Sequence, residues 1–324
     1  MSTEHKFKIA VIGSGPAGLT AAIYTARGDI ETIIYSGSQP GGQLTTTTEI
    51  ENFPGFVNGI MGPELMSNMQ SQAERFGAKL ELAEVSQIIV NQDKNKKFTV
   101  VSESGEADFD GIIIASGAKA KYLNLPGEEK WIGKGYHSCA TCDGFFYKNK
   151  VIVVVGGGDS AMEEANFLTK FGSIVYIIHR NTNYKASKIM LDRAKANPKI
   201  KFIENKTVTK LAGNEFIESI ELTDTVSGEK NEMLVDGVFM AIGHQPNSEF
   251  VKNVLDMDAA GYLLNQTHIP PENRNSKYET STKIEGIFVA GDIQDTTYRQ
   301  AITAAGDGCK AAMDLEKWLE ERKV

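Results

Sequence analysis

Cys139 and Cys142 stand in the run Cys139-Ala-Thr-Cys142-Asp143. A C-x-x-C pair can close a small disulfide ring, and one of its thiols can have a lowered pKa and act as a nucleophile. Asp143 follows directly and can supply or accept the proton as a leaving thiolate forms. Disulfide exchange needs these parts: an accessible thiolate, a resolving thiol and a proton source. A metal reading is weaker. A zinc site would want a second C-x-x-C or a His pair, and Cys309 and His137 are badly spaced for it, so no metal is expected. Two buried structural thiols would leave the adjoining Asp143 unexplained. Cys309, in Gly308-Cys-Lys-Ala-Ala, reads as a small packed side chain rather than a third redox thiol. His5, His137, His179, His244 and His268 are scattered and suggest no nucleophile or metal constellation.

Phosphate-binding chemistry is written twice. The apolar run Phe7–Ile12 leads into Gly13-Ser14-Gly15-Pro16-Ala17-Gly18, then a helical stretch from Leu19 to about Arg27, then a strand over Glu31–Tyr35. Gly13 allows the tight turn, Gly15 lets the backbone approach a pyrophosphate, and Gly18 lets helix and strand pack closely. The unit recurs as Lys150–Val155, Gly156-Gly157-Gly158-Asp159-Ser160-Ala161, a helix over Met162–Phe171 and a strand over Ile174–Ile178. Two nucleotide sites and one dithiol suggest a chain of electron transfers. Nicotinamide and thiols do not couple readily without an intermediary, and a flavin can serve as one.

A subtler repeat orders these units. Asp110–Gly117 (DGIIIASG) resembles Asp236–Gly243 (DGVFMAIG), each downstream of one glycine motif, and Gly286–Asp292 (GIFVAGD) is a third echo without a motif of its own. The expected fold class is therefore α/β, with two Rossmann-like dinucleotide-binding domains of the three-layer ββα type, the second inserted into the first. The first would span 1–117 and 248–324 and the second 118–247, with joints near 117–123 and 244–247. Residues 265–278, with Pro270-Pro271, read as an exposed loop, and Ala301–Leu319 has helical periodicity. At 324 residues the chain has room for two such domains. Lys and Arg number 34 against 42 Asp and Glu, a charge of −8 that argues against a general nucleic-acid binder. No apolar run approaches the ~18 residues of a membrane span, and Ile9–Ile12 is too short for a signal segment. A cytoplasmic protein is expected.

Over nearly its whole length the sequence resembles the low-molecular-weight thioredoxin reductases. The resemblance is carried by Gly13–Gly18, Gly41–Gly55 (GGQLTTTTEIENFPG), Cys139–Phe146 (CATCDGFF), Gly156–Ala165, His244–Asn247, Gly291-Asp292, Tyr298–Ala301 and Thr303–Gly308. It implies an enzyme that moves hydride from NADPH to FAD, then electrons to the Cys139/Cys142 disulfide and on to thioredoxin. FAD would lie on the first domain, its pyrophosphate at Gly13, Ser14, Gly15, Pro16, Ala17 and Gly18, with Ser36 near the adenosine ribose. Gly41, Gly42, Gln43, Leu44, Thr48 and Asn52 would stand near the ring and ribityl chain, with Gly117, Gly291 and Asp292, and Arg299, Gln300 and Ala301 would close the site. NADPH would meet Gly156, Gly158, Asp159, Ser160, Ala161, His179, Arg180, Lys185, Ile242 and Gly243. Cys142 would face the flavin, Cys139 attack the protein disulfide and Asp143 act as acid–base group. Phe145 and Phe146 would contact thioredoxin, with ordinary core aromatics as the alternative. The resemblance also implies a homodimer and an inserted domain that swings about its joints. With no cysteine in the terminal Glu-Arg-Lys-Val, membership of the larger reductases with a redox-active tail is not expected.

Two departures stand out. NADPH-using members read H-R-R-x-x-x-R after the second motif, whereas this chain has His179, Arg180, Asn181 and Lys185. Lys neutralises a phosphate as a point charge rather than a planar fork, and no acid appears that would favour NADH, so NADPH with a relaxed preference is expected. Ser36 stands where relatives place an acid. Rival readings are a relative with another disulfide substrate or another electron donor, a ferredoxin reductase of the same fold, and a non-catalytic nucleotide sensor. The last two would have no use for Cys139, Cys142 and Asp143 together.

Overall fold

A computed structural model describes residues 6–47, 49–91 and 97–322. Six α-helices occur among them: Pro16–Arg27 (α1), Gly62–Arg75 (α2), Ala140–Asp143 (α3), Asp159–Leu168 (α4), Lys188–Ala196 (α5) and Ala301–Glu320 (α6). The chain forms two compact units, one running up to Lys119 and again from Gln245, the other spanning Ala120–His244.

The first unit is built on a five-stranded sheet in the order Ile287–Val289, Gly111–Ile114, Lys8–Ile12, Glu31–Tyr35, Lys79–Glu81. All its pairings are parallel. Parallel strands are covered on both faces, which is why these runs are almost continuously apolar. The side chains alternate. Ile9, Val11, Ile34, Ile113 and Phe288 pack under α1, α2 and α6, while Ala10, Ile12, Ile33, Ile112 and Ile114 pack against the antiparallel strands Val85–Val90, Phe98–Ser102 and Gly105–Phe109. Pro16 opens α1, where a missing N–H costs nothing, and Arg27 closes it with a charge suited to the C-terminal dipole.

The second unit repeats the plan. Its parallel sheet runs Tyr136–His137, Gly237–Met240, Val151–Val155, Ile174–His179, Ile200–Glu204. Ile152, Val154, Val175, Ile177 and Phe239 pack with α4 and α5, while Val153, Val155, Ile178, Val238 and Met240 pack against an antiparallel sheet of Lys206–Gly213, Ile217–Asp224 and Lys230–Leu234. Each unit is thus the expected Rossmann-like three-layer ββα arrangement. The echo between the halves has a structural meaning. Asp110 accepts from Lys8 N at 2.8 Å and Asp236 accepts from Val151 N at 2.7 Å, so the same carboxylate ties the start of the glycine-motif strand to its neighbour in both units.

Two expectations need correction. The helix expected over 162–171 runs Asp159–Leu168 instead, because it starts directly on Gly158 and Thr169–Gly172 turns back toward the sheet. The polar segment 265–278 is exposed only in its middle. Asn265 and Gln266 are buried, Gln266 donates to Asn275 Oδ1 at 2.6 Å, and Tyr278 is buried at the far end. Side-chain amides satisfy the backbone there, so a polar sequence is held against the core.

Candidate active site

The dithiol belongs to the second unit. Tyr136–His137 is the edge strand of its sheet, paired in parallel with Gly237–Met240. The chain leaves it through Ser138 and turns at Cys139, which caps the single turn of α3. Cys139 and Cys142 form a disulfide with Cα atoms 5.3 Å apart. Cys142 N donates to Cys139 Sγ at 3.2 Å, and Thr141 Oγ1 lies 3.3 Å from the same sulfur. Cys142 is exposed and Cys139 half-buried.

Asp143 points inward. Its Oδ2 lies 2.9 Å from Nδ1 of His137, and Nε2 of that ring lies 2.6 Å from the Tyr147 hydroxyl. Burial, then the charges of Asp143 and Asp236, push ionisation of Tyr147 well above the ordinary tyrosine range, so its hydroxyl keeps its proton. Sequence reasoning missed both residues and found no constellation among the histidines. The structure joins His137 to Asp143 and Tyr147, contacts that the sequence reading did not include. A signal was present, since His137 is two residues before Cys139 and Tyr147 four after Asp143. Phe145 and Phe146 are 48% and 42% exposed, which answers the alternative that they are core aromatics. They meet edge to face at 6.1 Å, with Lys148 Nζ 4.1 Å from the Phe145 ring centroid.

The first glycine loop has the shape of a pyrophosphate cradle. A Cβ on Gly18 would stand 1.9 Å from Gly13 O, and one on Gly13, at φ 113°, 2.2 Å from Ala115 O. A Cβ on Gly15 would meet nothing within 4 Å. Gly15 caps α1 with no side chain spent on the helix N–H groups, leaving them for an anion. Ser14 Oγ accepts from Gly41 N at 2.9 Å, and Gly42 also comes close to Gly15. Leu44 packs on the core beside α2, Gln43 donates to Ala118 O, and Asn52 donates to Gln300 at 3.3 Å. The Ser36 hydroxyl is turned to the carbonyls of Gly37 and Glu81. Thr48 lies outside the described residues.

At the end of the sheet, Gly291 sits against Ala17, and Asp292 follows it. Burial, with Asp295 and Asp307 nearby and only Arg299 opposing, pushes the Asp292 carboxyl up to about 6. Arg299, at φ 49°, donates to Thr296 O at 2.6 Å, and its buried Nε has no hydrogen-bond partner among the described residues. Gln300 caps α6, which begins at Ala301, in a box with Thr303. Gly117, at φ 69°, accepts from Asn247 N. An open glycine loop, a helix N-terminus with no side-chain cap and a desolvated carboxyl fit a dinucleotide with a polyol chain.

The second loop fits a second dinucleotide. A Cβ on Gly156 would clash with Ala241 O at 2.4 Å, whereas Gly158 faces open space at the uncapped start of α4. Ser160 is exposed there and Ala161 is buried under the turn. Asp159 accepts from Ser187 N at 2.7 Å, and Lys185 N donates to Gly157 O at 2.8 Å. These bonds hold the segment that carries Arg180 and Lys185, both exposed cations, against the loop. His179 packs on Tyr184 at 4.9 Å. Ile242 is 38% exposed beside Gly243, which is at φ 95°.

Residues 7–308 match the family of pyridine nucleotide-disulphide oxidoreductases. The chain belongs to that family. Relatives within it include thioredoxin reductases, as the motifs led us to expect. One from Mycolicibacterium smegmatis is 49% identical over 323 residues, covering 99% of this chain and 100% of the relative. A bifunctional thioredoxin reductase/thioredoxin of Mycobacterium leprae is 48% identical over 98% of this chain and 67% of its own length. The solved thioredoxin reductase of Giardia duodenalis superposes with a TM-score of 0.88 at 37% identity, covering 98% of this chain and 100% of that one. Family membership makes the chain a flavoprotein oxidoreductase that couples a pyridine nucleotide to a disulfide. No helix among the described residues is long and apolar enough to cross a membrane.

Proposed function

We propose that the chain is an NADPH-dependent thioredoxin reductase, with FAD held by the first unit and NADPH by the second. The observation that carries the reading is the Cys139–Cys142 disulfide, closed at an exposed turn and followed by Asp143. The fusion of a thioredoxin to one relative supports thioredoxin as substrate.

Bound FAD would supply the relay of two electrons between the nicotinamide and the Cys139–Cys142 disulfide. The chain's own groups do the rest. Backbone N–H groups at the starts of α1 and α4 neutralise the pyrophosphates. Arg180 and Lys185 attract the 2′-phosphate. Cys142 would be the sulfur that takes up the electrons. The Cys139 thiolate attacks one sulfur of the thioredoxin disulfide, which breaks and leaves a thiolate on thioredoxin. Cys142 then attacks Cys139 Sγ, restoring the enzyme disulfide and freeing the second thioredoxin thiolate. Asp143 supplies a proton to a departing sulfur. Phe145 and Phe146 offer the apolar surface on which thioredoxin docks. Gly117 and Gly243, both in left-handed conformation, give the two linkers freedom for the inserted unit to rotate between these tasks. A cytoplasmic homodimer completes the proposal.

Anaerobic titration with NADPH and separately with NADH, followed by flavin absorbance, tests the donor. Bleaching by NADPH at much lower concentration is expected. Bleaching by dithionite but by neither nucleotide would remove NADPH. Cys139→Ser and Cys142→Ser should each abolish thioredoxin reduction while the protein stays yellow, and full activity in both would sink the dithiol mechanism.

A further inference from the structure

His137 is a buried polar residue for which the exchange chemistry above has found no use. The imidazole is 8% exposed and Tyr147 is 6% exposed. The imidazole stacks on Phe239 at 5.1 Å with an interplanar angle of 26°, and Tyr147 meets the same phenyl ring edge-on at 5.4 Å. Turning the ring away from Asp143 would break two hydrogen bonds and a stack. An apolar side chain would fill this space without desolvating a polar group.

We propose that His137 and Asp143 form one proton-holding unit for thiol–disulfide exchange, in which His137 is the positioning residue and Tyr147 sets its tautomer. The proposal rests on the reading of Asp143 as the acid–base group. In the deprotonated unit the Tyr147 O–H donates to Nε2. Nδ1 therefore carries the hydrogen and donates to the Asp143 carboxylate. When the unit gains one proton, it resides either on the carboxyl group or on the imidazole, where the Tyr147 oxygen turns to accept from Nε2–H. Both forms hold the same number of protons, and the 2.9 Å contact between Asp143 Oδ2 and His137 Nδ1 lets either partner hold the added one. Imidazole takes up a proton near neutral pH, whereas a carboxyl group alone does so only in acid. Pairing gives Asp143 a second group, the His137 imidazole, on which that proton can be held.

The exchange step balances. A bond forms between Cys139 Sγ and one partner sulfur, the partner S–S bond breaks, and its second sulfur leaves as thiolate. That sulfur takes the unit's proton from Asp143, which is left as a carboxylate held by Nδ1–H. Attack of the Cys142 thiolate on Cys139 Sγ then frees the other partner sulfur, which is protonated from solvent. The enzyme dithiol loses two electrons and the partner disulfide gains them. Other ionisable groups surround the unit. Tyr122, 3.5 Å from Ser138 Oγ, feels the charge of Asp143. Asp236 and Lys150, the latter 5.5 Å from the Tyr147 ring centroid, flank the tyrosine with opposite charges.

The test follows exchange alone. Full-length holoenzyme pre-reduced with NADPH is mixed with oxidised thioredoxin in stopped flow from about pH 5 to about pH 9. His137→Asn keeps a donor toward Asp143 and cannot titrate. Its rate should match the parent at the acid end and fall on the order of tenfold at the alkaline end, a part of what general acid catalysis contributes. Tyr147→Phe should shift the profile the same way by less. In an Asp143→Asn background, which itself loses the pH dependence, His137→Asn should add nothing. An unchanged profile in His137→Asn, or an equal loss at every pH, overturns the proposal. If Asp143→Asn keeps the parental profile, the acid–base reading of Asp143 has failed. If only His137→Asn keeps it, Asp143 stands and His137 falls. Should His137→Asn not retain flavin, Tyr147→Phe decides by the same criterion.

Discussion

Asp292 shows how burial sets chemistry at a single residue. Its carboxyl, ordinarily at 3.8, is pushed to about 6 because burial strips it of water and two other aspartates stand near, with Arg299 opposing. The folded chain binds that proton more tightly than the unfolded chain does. In the flavin-free protein, stability therefore falls as pH rises from about 4 to about 6 and stays lower above that. Asp292→Asn should stabilise the flavin-free protein by about 3 kcal/mol at neutral pH and by little in mild acid. Urea unfolding at the two pH values checks this. An equal gain at both would mean that the charge is not the cause. The same substitution should weaken flavin retention, measured by gel filtration and absorbance.

Among the elements, glycines divide into those that pack and those that leave room. Gly308 lets α6 cross α1, since a Cβ there would stand 2.1 Å from Ala17 O. Gly308→Ala should lower the melting temperature of flavin-free protein through overpacking of about 1–3 kcal/mol. Gly15→Ala meets no atom within 4 Å in an extended conformation that any residue adopts. It should leave that melting temperature nearly unchanged yet reduce FAD affinity, because the methyl group enters the space of the pyrophosphate. Thermal unfolding with and without FAD separates the two; a large loss for flavin-free Gly15→Ala would contradict the cradle. On the turn after Ile174–His179, Asn181→Arg with Lys185→Arg should lower KM for NADPH more than for NADH, since a guanidinium fork grips the 2′-phosphate that only NADPH carries. An equal change for both nucleotides would show that this turn does not read the phosphate.

For the whole molecule, the decisive fact is two units with separate cores. A ligand stabilises the part that binds it. FAD should slow hydrogen exchange in 8–119 and 245–322, and a nicotinamide nucleotide should slow it chiefly in 150–243. Hydrogen exchange with mass spectrometry reads both. Uniform protection by either ligand would argue against separate nucleotide sites.

Much was legible in the sequence because it is local. A glycine loop between a strand and a helix dictates its own geometry, so the two nucleotide folds could be read from Gly13–Gly18 and Gly156–Ala161. Continuous apolar runs announced parallel strands covered on both faces. The dithiol and its acid are neighbours in sequence, so their chemistry could be read without a fold. Contacts across the fold were not legible. Buried Gln266 donates to Asn275 Oδ1 and to Thr282 O, nine and sixteen positions along the chain, which no polarity pattern reveals. His137 comes from an edge strand, and the phenyl ring that fixes it comes from Phe239, about a hundred residues away and adjacent only through the strand pairing. The sequence by itself set Cys139, Cys142 and Asp143 side by side in one short run. The tertiary structure decided that a buried imidazole stands behind the acid, because burial and side-chain direction exist only once the sheet has formed.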